Sequence, residues 1–456
     1  MPPKTRRTAS AHSPAKSPAA SPAEPLASRL AALVVWVLVL LPPIFYWPPA
    51  KDSFRLPKLV LCETLALLAA LLLSLLLARI ERIDLRRVWA EPVVRATVPL
   101  LLVAALGLFT SEHRGHVLAG LLSLATALVA LAAFSWGFSA ERLRRFLNAM
   151  LVPAVVVSVI AVLQFHNLWE PLRFAKGEGG GRLGITSYAG NPGDLGAYWA
   201  LPLLLAQAAV LAGGKRRWWG LAVLGIGLYT VAITQSFTAI AAVVAGTVVF
   251  WMLLLPRRRV LQLVGAGLAM GALMFAAVEP LRHRVLDKLG DIRSGQLNRL
   301  LTGRLDGWRA ASWMFEQHPL VGVGHGAYRT EFGKARLALV GEGVQFFRSQ
   351  KTPVFANAHN EYLEVAAEWG LLGLAALGWA LWVVVSLLRG GTRSGTDPPV
   401  VVDPRLCQDR ALAWAGVTAL AVLSLSYFPF RVAMTAYPAL IFLAWVFQAF
   451  RREEAP

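Results

Sequence analysis

Ala358-His359-Asn360-Glu361-Tyr362-Leu363-Glu364-Val365-Ala366-Ala367-Glu368-Trp369-Gly370-Leu371-Leu372-Gly373 runs straight into Leu374-Ala375-Ala376-Leu377-Gly378-Trp379-Ala380-Leu381-Trp382-Val383-Val384-Val385. A polar stretch carrying a histidine and three carboxylates passes without interruption into an apolar run that reaches residue 388. Roughly twenty such residues in helical form cross a hydrocarbon core. The fold class follows from how often that second half recurs. The chain of 456 residues is 56% hydrophobic and 16% charged, with mean hydropathy +0.55. A soluble domain carries nearer a quarter charged residues. The alternating pattern of an outer-membrane strand is absent. The expectation is an all-α polytopic integral membrane protein.

About twelve apolar runs meet the length criterion. They lie near 27–46, 57–78, 93–110, 116–138, 143–165, 192–212, 218–234, 237–255, 259–278, 361–388, 410–427 and 433–450. Every second connection is basic: Arg79, Arg82, Arg86 and Arg87; Arg142, Arg144 and Arg145; Lys215, Arg216 and Arg217; Arg257, Arg258 and Arg259; Arg389, Arg393, Arg405 and Arg410; and finally Arg451 and Arg452. Short basic loops stay in the cytoplasm, so these connections and both termini are expected there. The organisation read from this is a basic Pro/Ala/Ser-rich tail over 1–24, too polar to pack, and spans 1 to 9 over 25–278. A large outward loop with short amphipathic helices covers 279–358, spans 10 to 12 cover 359–450, and a short tail covers 451–456. The first span shows no convincing cleavage site and reads as a retained signal anchor.

The net charge of +19 does not point to nucleic acid, because no basic stripe interleaves with aromatic residues on a soluble domain. Cys62 and Cys407 fall on opposite sides of this topology and imply no disulfide framework. The outward loop departs from the basic-poor pattern of its neighbours. From Glu279 to Ala358 it carries twelve Lys and Arg against seven acidic residues. Long loops are exempt from the charge rule, and an outward basic loop suits either an anionic ligand or lipid headgroups.

Within it, Thr302-Gly303-Arg304-Leu305-Asp306-Gly307-Trp308-Arg309 opens a short helix that His318-Pro319 stops. Arg304 and Trp308 share a face at i, i+4, with Phe315 further along. Two compatible readings stand: an interfacial helix anchored by tryptophan, and an Arg304 fork that grips phosphate oxygens. Gly322-Val323-Gly324-His325-Gly326 lacks the strand and the Lys-Ser/Thr of a phosphate loop, so its glycines read first as a sharp backbone turn. Glu361, Glu364 and Glu368 follow His359 at helical spacing. The helix dipole accounts for the first two, whereas Glu368 lies deeper, where ionisable groups are expensive. His359 beside an Arg-rich loop is a candidate general base for a hydroxyl acceptor. In the loop before span 6, Arg173 and Arg182 are candidate cationic contacts to the same ligand, and Asn191-Pro192 starts a helix. His113 and His116 lack an evident third metal ligand. No Walker motif, nucleophile elbow, dinucleotide fingerprint or Asp-rich metal signature of nucleotide-sugar enzymes is present.

Taken jointly, Thr302-Gly303-Arg304 with Trp308, His318-Pro319-Leu320-Val321-Gly322-Val323-Gly324, Ala358-His359-Asn360-Glu361-Tyr362-Leu363, Glu368-Trp369-Gly370-Leu371-Leu372-Gly373 and Gly190-Asn191-Pro192 resemble the O-antigen ligase and polymerase superfamily. The likeness spans about residues 180–375 by motif and nearly the whole chain by topology. It implies a metal-independent membrane glycosyltransferase of the GT-C type, with no cofactor. The implied donor is a glycan on undecaprenyl diphosphate, and the implied acceptor is a lipid A–core hydroxyl at the periplasmic face of the bacterial inner membrane. By motif, Arg304 would bind the diphosphate and His359 would activate or position the acceptor. Arg182, Asn191, Trp308, Arg309, His325, Asn360 and Glu361 complete the candidate substrate-binding set. One position departs from the pattern. Family members commonly carry Ser-Arg at the outer turn between spans 7 and 8, where this chain reads Ser236-Phe237, and Arg182 or another outer-loop arginine is expected to replace the lost contact. A polysaccharide polymerase of the same superfamily is the nearest alternative, followed by a protein O-oligosaccharyltransferase. A transporter or flippase predicts charges buried mid-span and internal repeats, which the sequence does not show.

Overall fold

The computed structural model describes residues 25–50, 52–77, 85–169, 184–346, 355–390 and 404–451. Nineteen α-helices occur among them, with no β-strand. They are α1 (Leu26–Leu40), α2 (Arg55–Leu77), α3 (Leu85–Ala90), α4 (Pro92–Thr110), α5 (Arg114–Gly137), α6 (Ala140–Ala149), α7 (Leu151–Phe165), α8 (Pro192–Tyr198), α9 (Ala200–Leu211) and α10 (Gly214–Thr234). Then come α11 (Phe237–Leu254), α12 (Arg257–Ala277), α13 (Glu279–Arg293), α14 (Leu297–Leu300), α15 (Arg304–Gln317), α16 (Tyr328–Gly341), α17 (Glu361–Gly390), α18 (Pro404–Ser424) and α19 (Ala433–Ala449). Eleven stretches are long and apolar enough to cross a membrane, and α19, an apolar helix of 17 residues, is the shorter twelfth. The protein is an all-α multi-pass membrane protein.

Two expected spans are jointed. Residues 143–165 divide at Met150 into an amphipathic α6 and an apolar α7, and 192–212 divides at Trp199 into α8 and α9. Small residues set how closely the helices approach, as they do where apolar burial gives no preference for protein over lipid. A Cβ on Gly246 of α11 would lie 3.0 Å from the Ala415 carbonyl of α18, and one on Gly416 would strike the Phe442 ring of α19.

Several polar groups inside the bundle are satisfied by groups from its connections, since hydrocarbon offers no substitute for water. Lys58 Nζ donates to the carbonyls of Phe45 and Tyr188 at 2.5 and 2.6 Å. Gln164 accepts from the Thr186 and Ser187 amides and donates to Thr186 Oγ1. These bonds fix the entry to α8. Ser111 Oγ donates to the Val323 carbonyl and Tyr427 Oη to Asp194 Oδ1. The connections before α5, α8 and α19 and the described residues of 278–360 therefore gather at one end of the bundle.

Candidate functional site

The site is assembled around a break in α17. Gly370 sits inside that helix at φ 64°, ψ −154°, a region essentially confined to glycine. Helical hydrogen bonding stops there, leaving orphan carbonyls before the break and orphan amides after it. The 319–324 turn satisfies both sets. Val323 and Gly324 amides donate to the Ala367 and Glu368 carbonyls, while the Leu371 and Leu372 amides donate to Pro319 and Leu320. The approach is so close that a Cβ on Gly322 would lie 2.2 Å from the Glu368 carbonyl carbon. This contact is why position 322 is glycine.

Glu361, Glu364 and Glu368, on the turns before the break, converge on one guanidinium. Arg431, in the connection between α18 and α19, lies 3.1 Å from Glu361 through Nε, 3.0 Å from Glu364 and 2.9 Å from Glu368. Burial alone would favour discharging Arg431, and the three carboxylates outweigh it, holding its pKa well above the ordinary value. Glu368 also meets His325 Nδ1 at 3.1 Å and accepts from the Tyr328 amide. Glu364 accepts from Asn357 Nδ2 at 2.8 Å and from the Ala358 amide at 2.9 Å. That pair of bonds shapes the approach to His359, which adopts φ 57°, a left-handed conformation that costs a non-glycine residue about 1 kcal/mol.

His359 is clamped edge-on between Phe355 and Phe428, with ring centroids 5.7 and 4.9 Å away. Its Nδ1 lies 3.1 Å from the Asn357 carbonyl. A carbonyl only accepts, so Nδ1 is the donor in this bond. Phe428 in turn stacks on Tyr427 and lies beneath the Arg55 guanidinium. Arg55 forms a two-pronged ion pair with Asp194.

Arg304 opens α15, after Gly303 at φ 82°. Asn298 Nδ2 donates to the buried Asp306 at 2.6 Å, tying α14 to the first turn of α15. Gly307, one turn beyond Arg304, packs on the loop before α17: a Cβ there would lie 3.0 Å from the Ala358 carbonyl oxygen. Arg304 and His359 are thereby carried on touching elements. Arg304 is half-buried and makes no ion pair among the described residues. Burial lowers its pKa, and the nearby Arg284 guanidinium adds to that effect. An arginine stays charged regardless.

The remaining sequence candidates fall into place around this core. Trp308 has its indole N–H buried with no partner among the described residues. Arg309 donates to the Gln345 carbonyl, Asn191 caps α8 through the Asp194 amide, and Asn360 accepts from the Leu363 amide. His325 is held by Glu368 and edges onto Trp369. Arg182 and Arg173 lie outside the described residues. Glu112, His113 and Glu331 bring three potential metal-ligand atoms within 4.8 Å of one another, but Lys334 reaches both carboxylates, and His116 is not among the three. Sequence reasoning missed Arg431, Arg284 and the Arg55–Asp194–Tyr427 chain. Arg431 had one legible signal, a lone cation in the short turn Tyr427-Phe428-Pro429-Phe430-Arg431 on the side where short loops are otherwise basic-poor.

Residues 221–378, from the middle of α10 into α17, match the family model described as O-antigen ligase. This segment is similar to the O-antigen ligase family. No curated protein matches the chain. The O-antigen ligase segment contains the Phe237 turn, Arg284, Arg304, His325, His359 and the three carboxylates, and it stops short of Arg431. Members of the O-antigen ligase family are membrane enzymes acting on lipid-linked glycans.

Proposed function

We propose that this protein is an O-antigen ligase of the bacterial inner membrane, transferring a glycan from undecaprenyl diphosphate to a lipid A–core hydroxyl at the periplasmic face. The observation that carries the reading is the contact of Gly307 with Ala358 inside the O-antigen ligase segment, which sets the Arg304 turn against the residue preceding His359. In the proposed step the acceptor oxygen bonds to the anomeric carbon and its proton passes to His359 Nε2. The bond from that carbon to the diphosphate oxygen breaks, and its electron pair leaves on the diphosphate. Arg304 meets the growing charge on the leaving group through its fork, and holding donor and acceptor together lowers the entropic part of the barrier. Asn360, Trp308 and Arg309 are proposed to contact the substrates. The step is proposed to need no metal, so transfer is expected to persist in excess EDTA; a loss restored by a divalent cation would refute that part.

The test is the lipopolysaccharide pattern of a deletion strain complemented with wild type or His359→Ala. Loss of the whole ladder with accumulation of long lipid-linked polymer supports the ligase. A core bearing a single repeat identifies a polymerase, and an unchanged pattern with altered glycoproteins identifies a protein-glycosylating enzyme. Full complementation by His359→Ala removes His359 from the chemistry.

A further inference from the structure

Several cations among the described residues of 278–346 are paired with carboxylates. Arg282 pairs with Glu279, Lys288 and Arg299 with Asp291, and Lys334 with Glu112 and Glu331. Arg284 and Arg304 are half-buried, the Arg284 charge acts on Arg304, and neither has a carboxylate within ion-pair distance among the described residues. Two like charges held together out of water are unfavourable in the empty protein and favourable once an anion lies between them. Arg284 stands over the Phe237 ring, its guanidinium carbon 5.9 Å from the centroid, while its Nε is buried without a partner. Two residues before Phe237, Gln235 is 3% exposed at φ 51° and also leaves its side-chain amide nitrogen buried without a partner. Unmatched buried donors are rare in folded proteins and call for a ligand or an ordered water.

We propose that Arg284, delivered by α13 onto the Phe237 ring, is the second cation of the diphosphate site and does the work of the arginine that the turn before α11 lacks. The inference rests on the donor proposed above. The ring gives the guanidinium a flat seat that an arginine on the turn itself would not need. Arg304 and Arg284 then approach the diphosphate from α15 and α13, and the Gln235 amide supplies a neutral donor between α10 and α11. Such a site favours a diphosphate over a monophosphate, because two phosphoryl groups can engage two forks.

The experiment uses the full-length protein in lipid nanodiscs, with transfer measured as the undecaprenyl-diphosphate-linked glycan is varied. Inorganic pyrophosphate and orthophosphate serve as probes for protection against thermal unfolding. Loss of one charged contact predicts a roughly ten- to hundredfold fall in kcat/KM for Arg284→Ala, together with loss of pyrophosphate protection. Arg284→Lys should recover part of the activity. In the Arg284→Ala background, Phe237→Arg should recover most of it, which no merely structural role of Arg284 would permit. Wild-type KM and wild-type pyrophosphate protection in Arg284→Ala, with Arg304→Ala inactive, would overturn the assignment of Arg284 and leave the ligase reading standing. Wild-type transfer by both single variants would overturn the diphosphate site itself.

Discussion

His359 carries three constraints at once: a left-handed backbone, an Nδ1 that donates to the Asn357 carbonyl, and a ring gripped by Phe355 and Phe428. A positioned general base contributes about a hundred- to ten-thousandfold. His359→Ala is therefore expected to lower kcat by at least that smaller factor with little change in melting temperature; retention of kcat would leave the ring a packing role only. Arg431 behaves oppositely. Its removal strands three carboxylates, two of them fully buried, which costs about 3 kcal/mol or more. Arg431→Ala is expected to lower the melting temperature markedly and to abolish transfer indirectly, whereas an unaltered melt would mean that the cluster is hydrated. His359 and Arg304 stood out in the sequence as candidates because their neighbours form contiguous motifs. Arg431 did not, since it meets Glu368 across 63 residues and no local pattern encodes that distance. Phe237 was legible as a gap, yet what fills the space above it comes from α13.

At the scale of elements, periodicity gives α17 as one apolar helix and does not see its break. Good helix formers flank Gly370 on both sides, and a lone glycine inside a helical pattern signals only weakened propensity. The break becomes visible once the 319–324 segment is laid against it. A side chain at Gly370 would lie 2.4 Å from the Leu320 carbonyl carbon, in a backbone conformation that only glycine tolerates well. Gly370→Ala should cost about 2 to 4 kcal/mol through strain and overpacking. The predicted sign is a large drop in melting temperature with inactive protein, while Gly378→Ala, where a Cβ meets nothing within 4 Å, serves as the tolerated control. Equal melting of the two variants would mean that α17 can straighten. The joints at Met150 and Trp199 were hidden for a related reason: apolar residues continue through both, and hydropathy does not register a change of axis.

For the molecule as a whole, hydropathy and basic loops sufficed to read a multi-pass helical protein with its polar chemistry collected at one end. Hydrocarbon thickness fixes span length and loop charge fixes alternation, so both leave strong marks in sequence. The sidedness can be tested with the two native thiols. Cys407 is exposed at the start of α18 and Cys62 is buried in α2. A membrane-impermeant maleimide should label Cys407 only after the inner membrane is permeabilised and should spare Cys62 until denaturation. Labelling of Cys407 from the periplasm would invert the topology.

The Arg431 cluster also bears on how this protein can be recombined. The O-antigen ligase segment ends at residue 378, yet the counter-ion for its three carboxylates is donated from beyond that boundary, and the Phe428 that grips His359 lies there too. The segment is consequently not a portable cassette. A chimera that grafts 221–378 into a relative would import three acidic groups whose neutralisation depends on the host's last two helices. Swaps aimed at changing glycan preference should carry residues 425–432 along with the segment, and family-wide searches for activity would do well to score the two regions as one inherited unit.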